Sequence, residues 1–213
     1  MEIYVSKISD IMGEFEENKV YNCLPDFRRK AADCCRNRAD RERSMAAGLL
    51  LVFCMQKRGV STKEAPCFTE NGKMYFPQQE RFHVNLSHSG DYAACALASR
   101  EVGIDLELLR PYRENVARRI CSQKEMQVLL SEKKEEEKNR QFTKLWTRKE
   151  SMAKLSGKGI AALLRDRNVT ENSEARIYTE TYTPVPGYFL SVSSHEDDFP
   201  ERVILLSPES LVR

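Results

Sequence analysis

Val102-Gly103-Ile104-Asp105-Leu106-Glu107-Leu108 lies near the middle of the 213-residue chain and sets the reading of what surrounds it. Successive residues of a strand point to opposite faces. Asp105 and Glu107 therefore share one face, and Ile104, Leu106 and Leu108 are expected in the core. Two carboxylates ~5 Å apart repel by about 3 kcal/mol at an effective dielectric near 20. On an open strand water relieves that repulsion. In a site a hard divalent cation does so, because Mg²⁺ is typically held by one or two carboxylates together with phosphate oxygens. The strand alone admits both readings.

Downstream, Ser122-x-x-Glu125 has the form of a capping box ahead of Met126, Val128 and Leu129. Glu132 to Lys138 is a charge run expected in solvent, and Phe142 to Leu155 a long amphipathic helix stopped by Gly157 and Gly159. Within Leu145-Trp146-Thr147-Arg148-Lys149-Glu150-Ser151-Met152-Ala153-Lys154, Glu150 and Lys154 are four residues apart and lie on one helix face, with Trp146 a turn earlier. On a surface such a pair is worth a few tenths of a kcal/mol. In a site, the carboxylate can take a proton from a hydroxyl and the lysine can steady a phosphate. Ala175 to Thr183, Gly187 to Ser193 and Arg202 to Leu206 read as closing strands.

Upstream, His83 to Ser87 and Tyr92 to Ala98 read as strands joined by the turn in Asn85-Leu86-Ser87-His88-Ser89-Gly90. Ser87 and His88 are strand neighbours that point apart, so they make no nucleophile–base pair, but both can offer donors to a phosphate. Asn71-Gly72 predicts a two-residue hairpin loop within Cys67 to Phe76, and Lys73 follows it. Arg43 to Lys57 predicts a largely buried helix ended at Gly59, and Glu2 to Ile8 a first strand. Between Arg28 and Arg43 stand seven Lys or Arg (Arg28, Arg29, Lys30, Arg36, Arg38, Arg41, Arg43) against Asp33, Asp40 and Glu42. That arm is either a solvated helix face or a second phosphate pocket. Each half of the chain runs helices first and strands after, ending on Gly90-Asp91-Tyr92 and Gly187-Tyr188-Phe189. The expected class is α/β (α+β), with two similar halves, 1–101 and 102–213.

Composition narrows the function. Lys plus Arg total 34 and Asp plus Glu 32, a net charge of +2, which excludes a dedicated nucleic-acid-coating protein. Hydrophobic residues at 41% and charged residues at 31% give a globular balance and exclude general disorder. Seven cysteines without a C-x-x-C pair point to reduced thiols. Met1 to Tyr4 lacks a basic-then-apolar leader, and the apolar run Met45 to Met55 is too short to span a bilayer, so a cytoplasmic protein with no membrane or nucleic-acid partner is expected. Three histidines (His83, His88, His195) make a three-histidine metal site improbable, and no P-loop, G-x-S-x-G or H-E-x-x-H motif is present.

Three segments in order, Asn85 to Gly90, Gly103 to Glu107, and Leu145 to Lys154 with Gly157-Lys158-Gly159, resemble the Sfp-type 4′-phosphopantetheinyl transferases. Weaker matches at Arg43-Ser44, Gly72-Lys73, Gly187-Tyr188 and Phe199-Pro200 extend the likeness over nearly the whole chain. The resemblance implies a pseudo-dimer of two α/β halves with coenzyme A between them, acting as a monomer. It implies transfer of phosphopantetheine from coenzyme A to a serine of an apo acyl or peptidyl carrier protein, releasing adenosine 3′,5′-bisphosphate. It implies Asp105, Glu107 and Glu150 as ligands of Mg²⁺ (Mn²⁺ is open), Glu150 as base and Lys154 as partner of the diphosphate. Ser87 and His88 match a phosphate-contacting pair, and Lys73 a coenzyme-contacting lysine. Arg28 and Ser44 fall at the 3′-phosphate, with Arg28 in place of a lysine and Lys30 or Ala31 where a second lysine is usual, and Arg43 beside Ser44 is a further coenzyme-binding residue. Glu125 also matches a family position, though its capping box accounts for it. The stretch 111–124, with Arg113, Arg118 and Arg119 beside Tyr112, Val116 and Ile120, is expected to dock the acidic carrier. Another Mg²⁺-dependent phosphoryl transferase and a non-catalytic coenzyme A-binding protein are the rival readings.

Overall fold

The computed structural model of the chain describes residues 1–157 and 177–212. Its elements run β1 (Glu2–Lys7), α1 (Ile8–Glu14), α2 (Glu17–Asn22), α3 (Asp26–Asp33), α4 (Arg38–Lys57), β2 (Cys67–Phe68), β3 (Met74–Tyr75), β4 (His83–Ser89), β5 (Tyr92–Ala98), β6 (Val102–Leu108), α5 (Glu114–Ile120), α6 (Gln123–Ser131), α7 (Glu135–Ser156), β7 (Tyr178–Tyr182), β8 (Tyr188–Ser194), β9 (Ile204–Leu205) and α8 (Pro208–Leu211). The class is mixed α+β with several sheets.

The run Met45 to Met55 is apolar on every helical face, so its helix must be enclosed. Helix α4 starts at Asn37, whose side chain accepts the Asp40 N–H, and buries Met45, Leu49, Leu50, Leu51 and Met55 completely. It lies on a sheet of order β4-β5-β1-β9, with α1, α2, α3 and α8 closing around it. The second sheet, β6-β8-β7, is covered by α7, whose acid-rich first turn suits a helix N-terminus. Ile3, Val5, Ala94 and Ala96 of the first sheet share one core with Ile104, Leu106, Leu190 and Val192 of the second. The alanines of β5 keep that layer thin.

Several expectations change. Leu108 is 44% exposed rather than core, because β6 ends there. The connection between β2 and β3 has five residues, 69–73, closed by Thr69 N–H on Lys73 O at 2.9 Å, with Gly72 in the left-handed region at φ +80°. Part of the charge run 132–138 is the start of α7. The tail does not close the second sheet. Strand β9 pairs in parallel with β1 (Tyr4 with Ile204), and Leu211 and Val212 enter the core around α4, so residues 204–212 complete the first half. Gly159, Lys158 and the start of the strand expected from Ala175 lie outside the described residues. All seven cysteines are free thiols. Among the described residues, no helix is long and apolar enough to cross a membrane.

Candidate functional site

Helix α7 brings Glu150 and Lys154 to one side of β6 and holds them there with hydroxyls. On its sheet-facing side Thr147 meets Ser191 at 2.8 Å and Ser151 meets Ser193 at 2.8 Å, and both serines are also bonded from β7 by Thr181 and Thr179. A buried polar network with every member partnered fixes rotation as well as position. At the far end Gly157, at φ +65°, ends the helix, and Lys73 Nζ donates to the Leu155 carbonyl at 2.5 Å. A lysine on the last carbonyls is a favourable C-terminal cap. Lys73 also pairs with Glu101 at 3.3 Å.

Asp105 is buried, and Lys154 Nζ reaches its Oδ1 at 2.8 Å and Ser87 Oγ at 3.0 Å. The other oxygen, Asp105 Oδ2, is buried with no partner among the described residues. Burial pushes the Asp105 carboxyl up, and Lys154 opposes that. Glu150, half-buried, is raised by burial and by repulsion from Asp105 and Glu107. Glu107 is fully engaged: Trp146 Nε1 donates to Oε1 at 3.0 Å, Ser89 Oγ to Oε2 at 2.9 Å, and Arg110 pairs with Oε2. Asp105, Glu107, Glu150 and Lys154 line one cavity of about 380 Å³ with Arg28 and His88. The three carboxylates share that space without converging. Among the described residues no three His, Cys, Asp or Glu side chains stand close enough to hold an ion. In this arrangement Lys154 occupies Asp105 Oδ1, while Trp146, Ser89 and Arg110 fix where the Glu107 carboxylate stands.

An adjoining cavity of about 390 Å³ is lined by Phe27, Arg28, Ala31, Lys73, Leu86 and Lys154. Arg28 donates to the Ser44 carbonyl at 2.7 Å and its hydroxyl at 3.3 Å, leaves its Nε buried and unpartnered, and pairs with no carboxylate among the described residues. Burial lowers its pKa. A buried cation without an acid is costly unless an anion arrives. His88 is open on one side. Its partial burial, then Arg43, Lys154 and Arg28, hold it below the ordinary 6.5. Arg43 pairs with Asp40.

Lys30 is the misplaced member of the predicted set. It lies 200° around α3 from Arg28 at 100° per residue, and lines a separate cavity with Arg29 and Lys63. Ala31 takes the place beside Arg28. Of the remaining arm, Arg29, Arg38 and Arg41 are surface ion pairs with Asp26, Glu42, and Glu17 with Asp33. Sequence reasoning missed the buried pair of Lys149 with Glu125 at 3.0 Å, which pins the capping box of α6 to α7. Its signal was an acid in a capping box and a lysine beside Glu150, both charged, in segments otherwise patterned for burial.

A family model described as the 4′-phosphopantetheinyl transferase superfamily matches residues 101–205, which span β6, α7 and β8. The chain is 28% identical to the 4′-phosphopantetheinyl transferase Sfp of Bacillus subtilis (strain 168) over the full length of both. It is 33% identical to the 4′-phosphopantetheinyl transferase psf-1 of Bacillus pumilus over 87% of this chain and 84% of the relative. It is 39% identical to the 4′-phosphopantetheinyl transferase HetI of Nostoc sp. over 45% of this chain and 38% of the relative. Full-length similarity together with the family match over residues 101–205 places this chain in the 4′-phosphopantetheinyl transferase superfamily, as a member of its Sfp type.

Proposed function

We infer that transfer takes place where β4, β6 and α7 meet. The 4′-phosphopantetheine group of coenzyme A passes to a serine hydroxyl of an apo acyl or peptidyl carrier protein, and adenosine 3′,5′-bisphosphate leaves. The observation that carries the placement is that Glu150 and Lys154 on α7 line both the cavity of the buried Asp105 and the cavity of Arg28, whose guanidinium has no carboxylate ion pair among the described residues. Arg28, Ser44, Arg43 and His88 bind the coenzyme's phosphates, with Lys73 at the mouth. Glu150 accepts the serine proton as the serine oxygen bonds to the pantetheine-side phosphorus. The bridging P–O bond breaks, and Lys154 offsets charge on the diphosphate. Phosphoryl transfer is chiefly positioning and charge stabilisation, and these groups supply both.

The donor set fits a divalent ion, since three carboxylates line one space and one buried carboxylate oxygen lacks a partner among the described residues. Asp105, Glu107 and Glu150 would hold Mg²⁺ or Mn²⁺, which would neutralise the diphosphate. Ser87 is buried and already bonded to Asp105, Leu106 N–H and Lys154, so its part is to hold the site rather than to meet phosphate. Two halves, each a long helix on a sheet, support the pseudo-dimer reading, with a boundary at 101/102 and residues 204–212 returned to the first half. The near-neutral charge speaks against a nucleic-acid partner, and a cytoplasmic monomer without a membrane partner is part of the same proposal. Incubation with coenzyme A, Mg²⁺ and a panel of apo carriers, read by intact mass, tests the reading. A carrier mass gain equal to one phosphopantetheine supports it, and no gain with any carrier refutes it.

The docking stretch 111–124 needs revision. Ile120 is buried, and Tyr112 and Val116 pack on Phe142 and its neighbours, so these apolar residues serve the chain's own core. Arg113 and Arg119 remain exposed, and Arg118 pairs with Glu114. Their contribution is steering. Arg113→Glu with Arg118→Glu should lower kcat/KM for carrier about tenfold in low salt, converge on wild type in high salt, and leave coenzyme affinity unchanged. Equal carrier kinetics at low salt would remove this stretch from the interface.

His88 gives a pH signature. Its depressed pKa favours the folded state above pH 6.5 and costs stability as the pH falls below that value. A bound polyanion reverses the local field and draws a proton onto the ring. Coenzyme binding near pH 6.5 should therefore take up protons, seen as a buffer-dependent calorimetric enthalpy, and His88→Gln should remove most of the uptake. Equal uptake in the two proteins would place His88 away from the phosphates.

A further inference from the structure

Strands β4 and β6 are neighbouring edges that belong to different sheets. Side chains of one bridge to the backbone of the other. Asn85 Oδ1 accepts from Ile104 N–H, Ser87 Oγ from Leu106 N–H and Ser89 Oγ from Leu108 N–H, each at 3.1 Å. The three bonds advance two residues at a time along both strands, so β4 and β6 run parallel with a row of small polar side chains between them. The row satisfies amides that an edge strand otherwise leaves open.

The serines do more than bridge. A hydroxyl has a single proton. At Ser87 an amide and an ammonium occupy the acceptor side, so the proton goes to Asp105 Oδ1 at 3.1 Å. At Ser89 an amide does the same, and the proton goes to Glu107 Oε2 at 2.9 Å. Asn85 repeats the amide bond but faces Gly103, where no carboxylate exists. We propose that Asn85-x-Ser87-x-Ser89 is a positioning seam, through which the first half sets the carboxylates of the second, with Ser89 as the positioning residue of Glu107. This rests on the metal-site reading of Asp105 and Glu107.

The chain's single tryptophan makes the seam measurable, because Trp146 Nε1 bonds the other oxygen of Glu107. Mn²⁺ is titrated at saturating coenzyme A and followed by Trp146 emission. Ser89→Ala should shift the ion midpoint upward about tenfold or more, as loss of a partner to a metal ligand commonly does. Ser89→Thr, which keeps the hydroxyl, should stay within about threefold of wild type. Asn85→Ala loses the same kind of amide bond without freeing an acid, so its midpoint should stay within about twofold while its thermal stability falls. If Ser89→Ala does not fold, Ser89→Cys, a weaker hydrogen-bonding group of similar size, should give an intermediate shift. Equal midpoints for Ser89→Ala and wild type, or equal shifts for Ser89→Ala and Asn85→Ala, would overturn the proposal. Should wild type itself show no ion-dependent emission change, the metal reading fails. The ion-free spectra then decide the seam: altered emission in Ser89→Ala supports it, and emission equal to wild type overturns it.

Discussion

Glu150→Gln should lose turnover by roughly 10²–10⁴-fold, the range expected when a positioned base is removed, and should do so without losing stability. The two side chains have nearly the same shape, but the amide cannot accept the serine proton. Glu150 is raised by burial and by repulsion from Asp105 and Glu107. A group held above its ordinary pKa is penalised as an anion at neutral pH, so replacing it with a neutral isostere removes a cost to folding. The expected signature is thus a protein that binds coenzyme A within about twofold of wild type, melts no earlier, and hardly transfers. Asp105→Ala should lose turnover to a similar degree, because it deletes the partner of Lys154 and of Ser87 together. Stopped time courses by intact mass, beside thermal melts, decide the matter. Glu150→Gln within about fivefold of wild-type turnover would remove Glu150 from the role of base.

Much of this layout is written in local pattern. The apolar run Tyr92–Ala98, the alternation along 104–108, the capping box at Ser122 and Glu125, and the spacing of Glu150 and Lys154 each reflect interactions within a few residues. What local pattern could not decide was which side of an element met which neighbour. On α3 the cavity face is Phe27, Arg28 and Ala31, and Lys30 turns away. The stripe Tyr112, Val116 and Ile120 looked available to a partner and is consumed by Phe142, because a helix of seven residues needs that burial to persist at all. Strand β9 is two residues long and is recruited by β1 from across the chain. The seam of Asn85, Ser87 and Ser89 was visible as letters, yet its meaning depends on β6 arriving alongside.

The same dependence on tertiary approach makes Gly103 the position where the smallest change should do the most damage. A methyl there would lie 2.1 Å from Ser151 O, 2.4 Å from Leu155 N and 3.0 Å from Leu155 Cα, all backbone atoms of α7. No side-chain rotation relieves contacts of that kind, so Gly103→Ala must either bend β6 or push α7 outward. Overpacking typically costs 1–3 kcal/mol and sometimes more, and with backbone on every side a cost of about 3 kcal/mol is expected. For a chain of this size that is a fall in Tm of roughly 6–12 °C. The effect on chemistry should be separable and larger than stability explains. Helix α7 carries Glu150 and Lys154, and a displacement of about 1 Å of catalytic groups can cost about 10²-fold in rate. At temperatures where the variant is fully folded, kcat should therefore fall about a hundredfold. Gly48→Ala is the comparison. Its methyl would meet Leu24 Cδ2 at 2.8 Å and Arg28 Nε at 3.3 Å, both on side chains that can yield. That variant should keep its kcat and lose coenzyme affinity through Arg28. A folded Gly103→Ala with wild-type Tm and turnover would mean that the contact of α7 with β6 does not set the geometry of the site.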